Sequence, residues 1–171
     1  MKSGAEQSET TMSKAIISPD QDAVVCEVQI AAPPERIFRA LTSNDQLMRW
    51  WNGEGGPCRV NVWEIDPRVG GKWSCSASDP TGKMVINGVS QFDSFGEIVQ
   101  FDPPRVLTYT RFANFHSIPS HQTLVRWELI PQSEGTLVRM THSGLKALPG
   151  GTDYSQGWPG VIDALQKFAE S

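Results

Sequence analysis

Few residues of this sequence have the type and spacing that chemistry needs. His142 shares strand parity with Val138 and Met140, which turns its imidazole inward near the start of the last helix. An inward imidazole is a candidate general base or ligand donor. No matched nucleophile accompanies it, and a hydrogen-bonded core histidine is the commoner use of such a position. Tyr109 and Arg111 share a face with Leu107. If Leu107 points in, the Arg111 guanidinium can meet an anionic ligand head at a cavity mouth; the plainer reading is a solvent-facing arginine at a strand end. Glu64 shares parity with Val60 and Val62 and is a candidate buried carboxylate. A bulge before the Asp66-Pro67 turn would put it outside, and that is the expectation adopted. His116 and His121 sit in or beside a loop, both expected to face solvent, and no third ligand stands at metal spacing. Ser143, His142 and Asp153 make a Ser–His–Asp set on paper, but no G-x-S-x-G elbow supports it.

The elements that must position these residues are legible as patterns. The last helix, from about Ser155 to Glu170, carries Trp158, Val161, Ile162, Leu165 and Phe168 on one stripe, with Asp163, Gln166, Lys167 and Glu170 opposite. Ser155 is its expected N-cap, and Pro159 fits a first turn. Val24 to Ile30 alternates as a half-buried strand. Pro33-Pro34 ends it, and PERIFRALT and NDQLMRWW follow as two short helices, with Ser43 or Asn44 capping the second. Strands are expected at Arg59 to Ile65, Lys72 to Ala77, Met84 to Phe101 (one long strand, or two broken near Asp93-Ser94), Val106 to Phe112, Gln122 to Ile130 and Thr136 to His142. Short turns between them imply an antiparallel sheet, hence an α+β fold of about six or seven strands under a long helix. Parity places Trp73, Trp127, Met140 and Trp158 inward, where large aromatic side chains more often fill a core than touch a ligand.

Residues 1 to 18 are polar and without periodicity and read as a disordered tail, leaving 19–171 as a single domain; Met12 is an alternative start to Met1. Gly53 to Pro57 is glycine-rich but lacks the Lys-Ser/Thr of a phosphate loop. Cys26, Cys58 and Cys75 are scattered, with no C-x-x-C pair, which argues against a disulfide framework or structural zinc and for a reducing cytoplasm. A net charge of −4 and the lack of a basic recognition helix argue against nucleic acid. No apolar run reaches the roughly 18 residues of a membrane span. No motif calls for a cofactor or a metal.

Several segments, taken in order, resemble one known family. They are APPERIFRALT followed by L-x-R-W-W between Val28 and Trp51; Asp66-Pro67-Arg68-x-Gly70-Gly71-x-Trp73; Gly96-Glu97-Ile98 leading to Asp102-Pro103-Pro104-Arg105-x-Leu107-x-Tyr109-Thr110; Gly135-Thr136 leading to Thr141-His142-x-Gly144-Leu145; and Gly157-Trp158. Over about residues 22–170 the sequence is similar to the family of activators of heat-shock-protein-90 ATPase, within the START-like helix-grip superfamily. The resemblance implies a curved antiparallel sheet gripping the C-terminal helix, with an apolar cavity between them. It also implies a choice of functions. The first is a cytoplasmic protein that binds a hydrophobic, lipid-like or aromatic molecule, with Trp73, Tyr109, Arg111, Trp127, Met140, His142 and Trp158 as cavity candidates. The second is a chaperone-associated module that binds a protein partner; a homodimer is compatible with any of the three. The third is a cyclase- or hydrolase-type enzyme, which would need a polar pair inside the cavity.

Overall fold

In the computed structural model, which describes residues 13–51 and 58–171, the alternating segments become strands of one sheet. The order along the chain is β1 (Lys14–Ile17), β2 (Val24–Ile30), α1 (Pro34–Thr42), α2 (Asn44–Trp50), β3 (Arg59–Ile65), β4 (Lys72–Ser78), β5 (Gln91–Asp102), β6 (Val106–Ala113), β7 (Thr123–Gln132), β8 (Gly135–Ser143), a 3-10 turn (Gly151–Asp153) and α3 (Tyr154–Glu170). Eight strands lie in the order β1-β2-β8-β7-β6-β5-β4-β3, every neighbouring pair antiparallel.

The eighth strand, against the six or seven expected, is β1. It lies inside the stretch read as a tail. Its four residues are too few and too exposed to show a period, and it is held by pairing with β2 from Lys14↔Glu27 to Ile17↔Val24. Ser13 ties the same segment to α3. Its backbone N–H donates to Asp163 Oδ1 at 3.1 Å, and its Oγ lies 2.7 Å from the same oxygen. Residues 1–12, with Met12, and the Gly53 to Pro57 loop lie outside the described residues. Met84 to Phe101 does not form strand throughout. The strand starts at Gln91, and only an Ile86↔Val89 bridge precedes it.

Both short helices form where Pro34 fixes a first turn and Ser43 accepts from the Gln46 N–H. Trp50 Nε1 donates to the Ala40 carbonyl at 2.8 Å and locks one helix to the other. The last helix begins one residue before the expected start, at Tyr154, so Ser155 lies within it and Pro159 falls beyond its first turn. Trp158, Ile162, Leu165 and Ala169 are buried, while Val161 and Phe168 are half-buried. Each fully buried large side chain contributes about 1.5–3 kcal/mol before conformational entropy is subtracted. At its far end Arg36 donates to the carbonyls of Ala169 (2.7 Å) and Phe168 (3.0 Å), and Glu170 accepts from the Ala31 N–H at 2.8 Å. The two Arg36 bonds satisfy end carbonyls that a helix cannot satisfy itself. Among the described residues no helix is long and apolar enough to cross a membrane.

Candidate ligand site on the inner face of the sheet

Period-two geometry on β4, β6, β7 and β8 sets the site. Leu107, Tyr109 and Arg111 on β6, Val125 and Trp127 on β7, Val138, Met140 and His142 on β8, and Trp73 and Cys75 on β4 all point to the helix side and are buried. Trp158 meets them from the first turns of α3. All seven cavity candidates from the sequence therefore lie in one interior.

Three glycines in the family-like motifs act through space, and Gly96 matters most here. It pairs with Trp73 across β4 and β5. Having no side chain, it lets the Trp73 indole cross over β5 and donate to the Thr110 carbonyl of β6 at 2.9 Å. A Cβ on Gly96 would lie 1.8 Å from that carbonyl oxygen and 2.7 Å from Trp73 Nε1.

The rings form one connected set. Trp50 touches Trp51, Trp51 touches both Trp63 and Trp158, Trp63 stacks on Trp73, and Trp73 meets Tyr109 edge-on. From Trp158 the chain of rings runs to Trp127 and, through His142, to Tyr154 and His116. Centroid separations in this set run from 4.5 Å for His142–Tyr154 to 6.5 Å for Tyr154–Trp158. Edge-to-face and offset contacts at such separations add about 0.5–1.5 kcal/mol per pair beyond area burial.

His142 is fully buried, and both of its ring nitrogens are engaged. Trp158 Nε1 donates to Nδ1 at 3.1 Å, and Nε2 lies 2.8 Å from Thr123 Oγ1. An indole N–H can only donate, so Nδ1 carries no proton and Nε2 does. Thr123 Oγ1 then passes its own proton toward the Arg111 carbonyl at 3.3 Å. Burial holds the His142 pKa well below the ordinary imidazole value, and the charges of Arg111 and His116 push the same way. The Ser–His–Asp set dissolves at this point, because neither ring nitrogen addresses Ser143 or Asp153.

His116 corrects a second expectation. It is buried rather than solvent-facing, with Nε2 2.6 Å from the Tyr154 hydroxyl. Burial first, then the neighbouring Arg111 and His121, lower its pKa to about 4. His121 is half-buried, its Nε2 2.7 Å from the Gly144 carbonyl. Glu64 is exposed as expected, and the irregularity that turns it out lies between Val60 and Val62. The same shift turns Trp63 and Ile65 inward, so parity counted from Val60 missed Trp63. Tyr154 was missed because it precedes the expected helix start; Trp51 was read as the end of the second short helix and not as part of the inner face. Burial raises the Tyr109 hydroxyl to about 12 and the Cys75 thiol to about 11, so both stay protonated. Among the described residues no His/Cys/Asp/Glu group could hold a metal ion.

Among the described residues Arg111 is the one charge on this inner face, 8 % exposed. Its guanidinium lies 5.8 Å from the ring centroids of both Trp73 and Tyr154. Among the described residues it makes no ion pair, and its Nε has no hydrogen-bond partner. Trp63 Nε1 and His116 Nδ1 are likewise buried without a partner. Both ring nitrogens of His142 are taken up by hydrogen bonds and the Cys75 thiol stays protonated, so neither is an activated nucleophile.

No curated protein matches the chain. Solved structures do. A protein from Chromobacterium violaceum is 23% identical with a TM-score of 0.70, the match covering 88% of this chain and 99% of that one. One from Rhodobacter sphaeroides is 19% identical with a TM-score of 0.73, covering 92% and 97%. The AHSA1-like protein from Aeromonas hydrophila is 19% identical with a TM-score of 0.66, covering 86% and 92%. At these identities the likeness speaks for the fold, a curved antiparallel sheet gripping a C-terminal helix. The family model described as Activator of Hsp90 ATPase homolog 1-like protein matches residues 31–170. On that match over most of its length, the chain belongs to the family of Activator of Hsp90 ATPase homolog 1-like proteins.

Proposed function

We propose that this protein binds a small hydrophobic molecule, aromatic or lipid-like, between the inner face of the sheet and α3. The observation that carries the reading is the connected set of rings running from Trp63 and Trp73 to Trp158 and Tyr154, with a few polar groups set among them. Ligand sites are mostly apolar, with a small number of polar groups that fix orientation. Native mass spectrometry of the purified protein, with titration of tryptophan emission by the neutral probe N-phenyl-1-naphthylamine, tests it. The expected result is saturable quenching that Trp158→Ala weakens. A bare mass and an emission that ignores the probe would refute the reading.

A further inference from the structure

We propose that the molecule held here is an acid: an apolar body bearing one carboxylate, with Arg111 as its counter-ion. This rests on the ligand-binding reading above and narrows it.

The first argument is charge. Arg111 stays protonated at any physiological pH. A buried cation is costly unless an anion or hydrogen bonds compensate it. Among the described residues the side chains around it are Trp73, Tyr109, Tyr154, Cys75, His116 and His142; the Tyr154 hydroxyl is within hydrogen-bonding reach of it, and none of them is a carboxylate. Ring faces attract the guanidinium but do not cancel its charge.

The second argument is hydrogen-bond polarity. The guanidinium N–H groups lie in its own plane, and Nε–H is unused. Trp63 Nε1, stacked one ring away on Trp73, is an unused donor as well. An indole can only donate, so the unmet groups ask for an acceptor. A carboxylate answers both arguments, since it accepts in plane from a guanidinium and brings one negative charge. A phosphate dianion would exceed the single cation available. Tyr154 is only half-buried, which leaves Arg111 one ring below solvent.

The test compares 2-naphthoate with its neutral isostere 2-naphthamide near neutral pH, by calorimetry and by quenching of tryptophan emission. Charge-assisted hydrogen bonds predict that the wild type binds the acid about tenfold more tightly, or better. Arg111→Met should abolish that preference while still binding the amide. Arg111→Lys should keep part of it, and this variant preserves the test if the methionine protein does not fold. Arg68→Met, on the exposed surface, should change nothing. Equal affinity of the wild type for both compounds overturns the acid inference and leaves the hydrophobic-ligand reading standing. A preference that survives Arg111→Met overturns it too. Silence from both compounds overturns both readings.

Discussion

Trp158 donates its indole N–H to Nδ1 of His142 across 3.1 Å, and that contact joins the start of α3 to β8 inside the protein. It also sets the imidazole's protonation. A proton on Nδ1 would face a donor with no lone pair, so the bond exists only while His142 is neutral.

Stability should therefore fall on mild acidification. Both His142 and His116 have folded-state pKa values below the ordinary imidazole value, His116 at about 4. Unfolded chains take up those protons first as pH drops through about 6.5. The stabilisation is complete above that pH and is lost progressively toward pH 4, with His116 alone contributing on the order of 3 kcal/mol. Urea midpoints between pH 7.5 and 4.5 measure it, and His116→Gln should flatten the profile.

Trp158→Phe and Trp158→Ala should separate packing from hydrogen bonding. Phenylalanine keeps most of the ring and strands His142 Nδ1, at a cost of about 1–3 kcal/mol. Alanine also opens a cavity and should cost about 3–5 kcal/mol. Equilibrium denaturation of the two variants gives the difference.

Gly96→Ala should be severe for a one-carbon change. The new methyl would meet the Thr110 carbonyl and the Trp73 indole at 1.8 and 2.7 Å. Loss of the Trp73–Thr110 bond and strand displacement should cost at least about 1–3 kcal/mol. Tryptophan emission should shift to the red as Trp73 leaves its seat.

Arg36→Met keeps the apolar stem and removes the two bonds to the last carbonyls of α3. A loss of about 1–3 kcal/mol is expected for hydrogen bonds made by a charged donor. Amide exchange should accelerate in the final turn of α3 and stay unchanged at Trp158.

Arg111→Met should stabilise the ligand-free protein. Replacing a buried charge that has no ion-pair partner with an apolar side chain is expected to gain about 1 kcal/mol or more. For a chain of this size that corresponds to a rise of about 2–4 °C per kcal/mol in calorimetric Tm.

Strand parity was enough to place Trp73, Trp127 and His142 in one interior, because each lies on a regular strand; for Arg111 it left the inward position conditional on Leu107, with a solvent-facing arginine as the plainer reading. It was not enough for Trp63, where the shift between Val60 and Val62 exchanges the faces of β3. Neither His116 nor Tyr154 carries a local signal. One sits in a loop and the other at a helix start set by a 3-10 turn, and only tertiary packing brings them to 2.6 Å. The strand β1 was hidden for a related reason: its order comes from β2 and from Asp163, a residue of the distant helix. Hydrogen-bond direction around His142 is likewise a property of three strands and a helix together.

All six tryptophans belong to the connected set of rings, through the contacts of Trp50 with Trp51, Trp51 with Trp63 and Trp158, Trp63 with Trp73, and Trp127 with Trp158. Indoles so close exchange excitation faster than they emit. Light absorbed by any one of them is shared among all, so the emission should be strongly depolarised and report on the whole set. A single energy acceptor lodged beside Trp73 would then dim Trp50 and Trp127 as well.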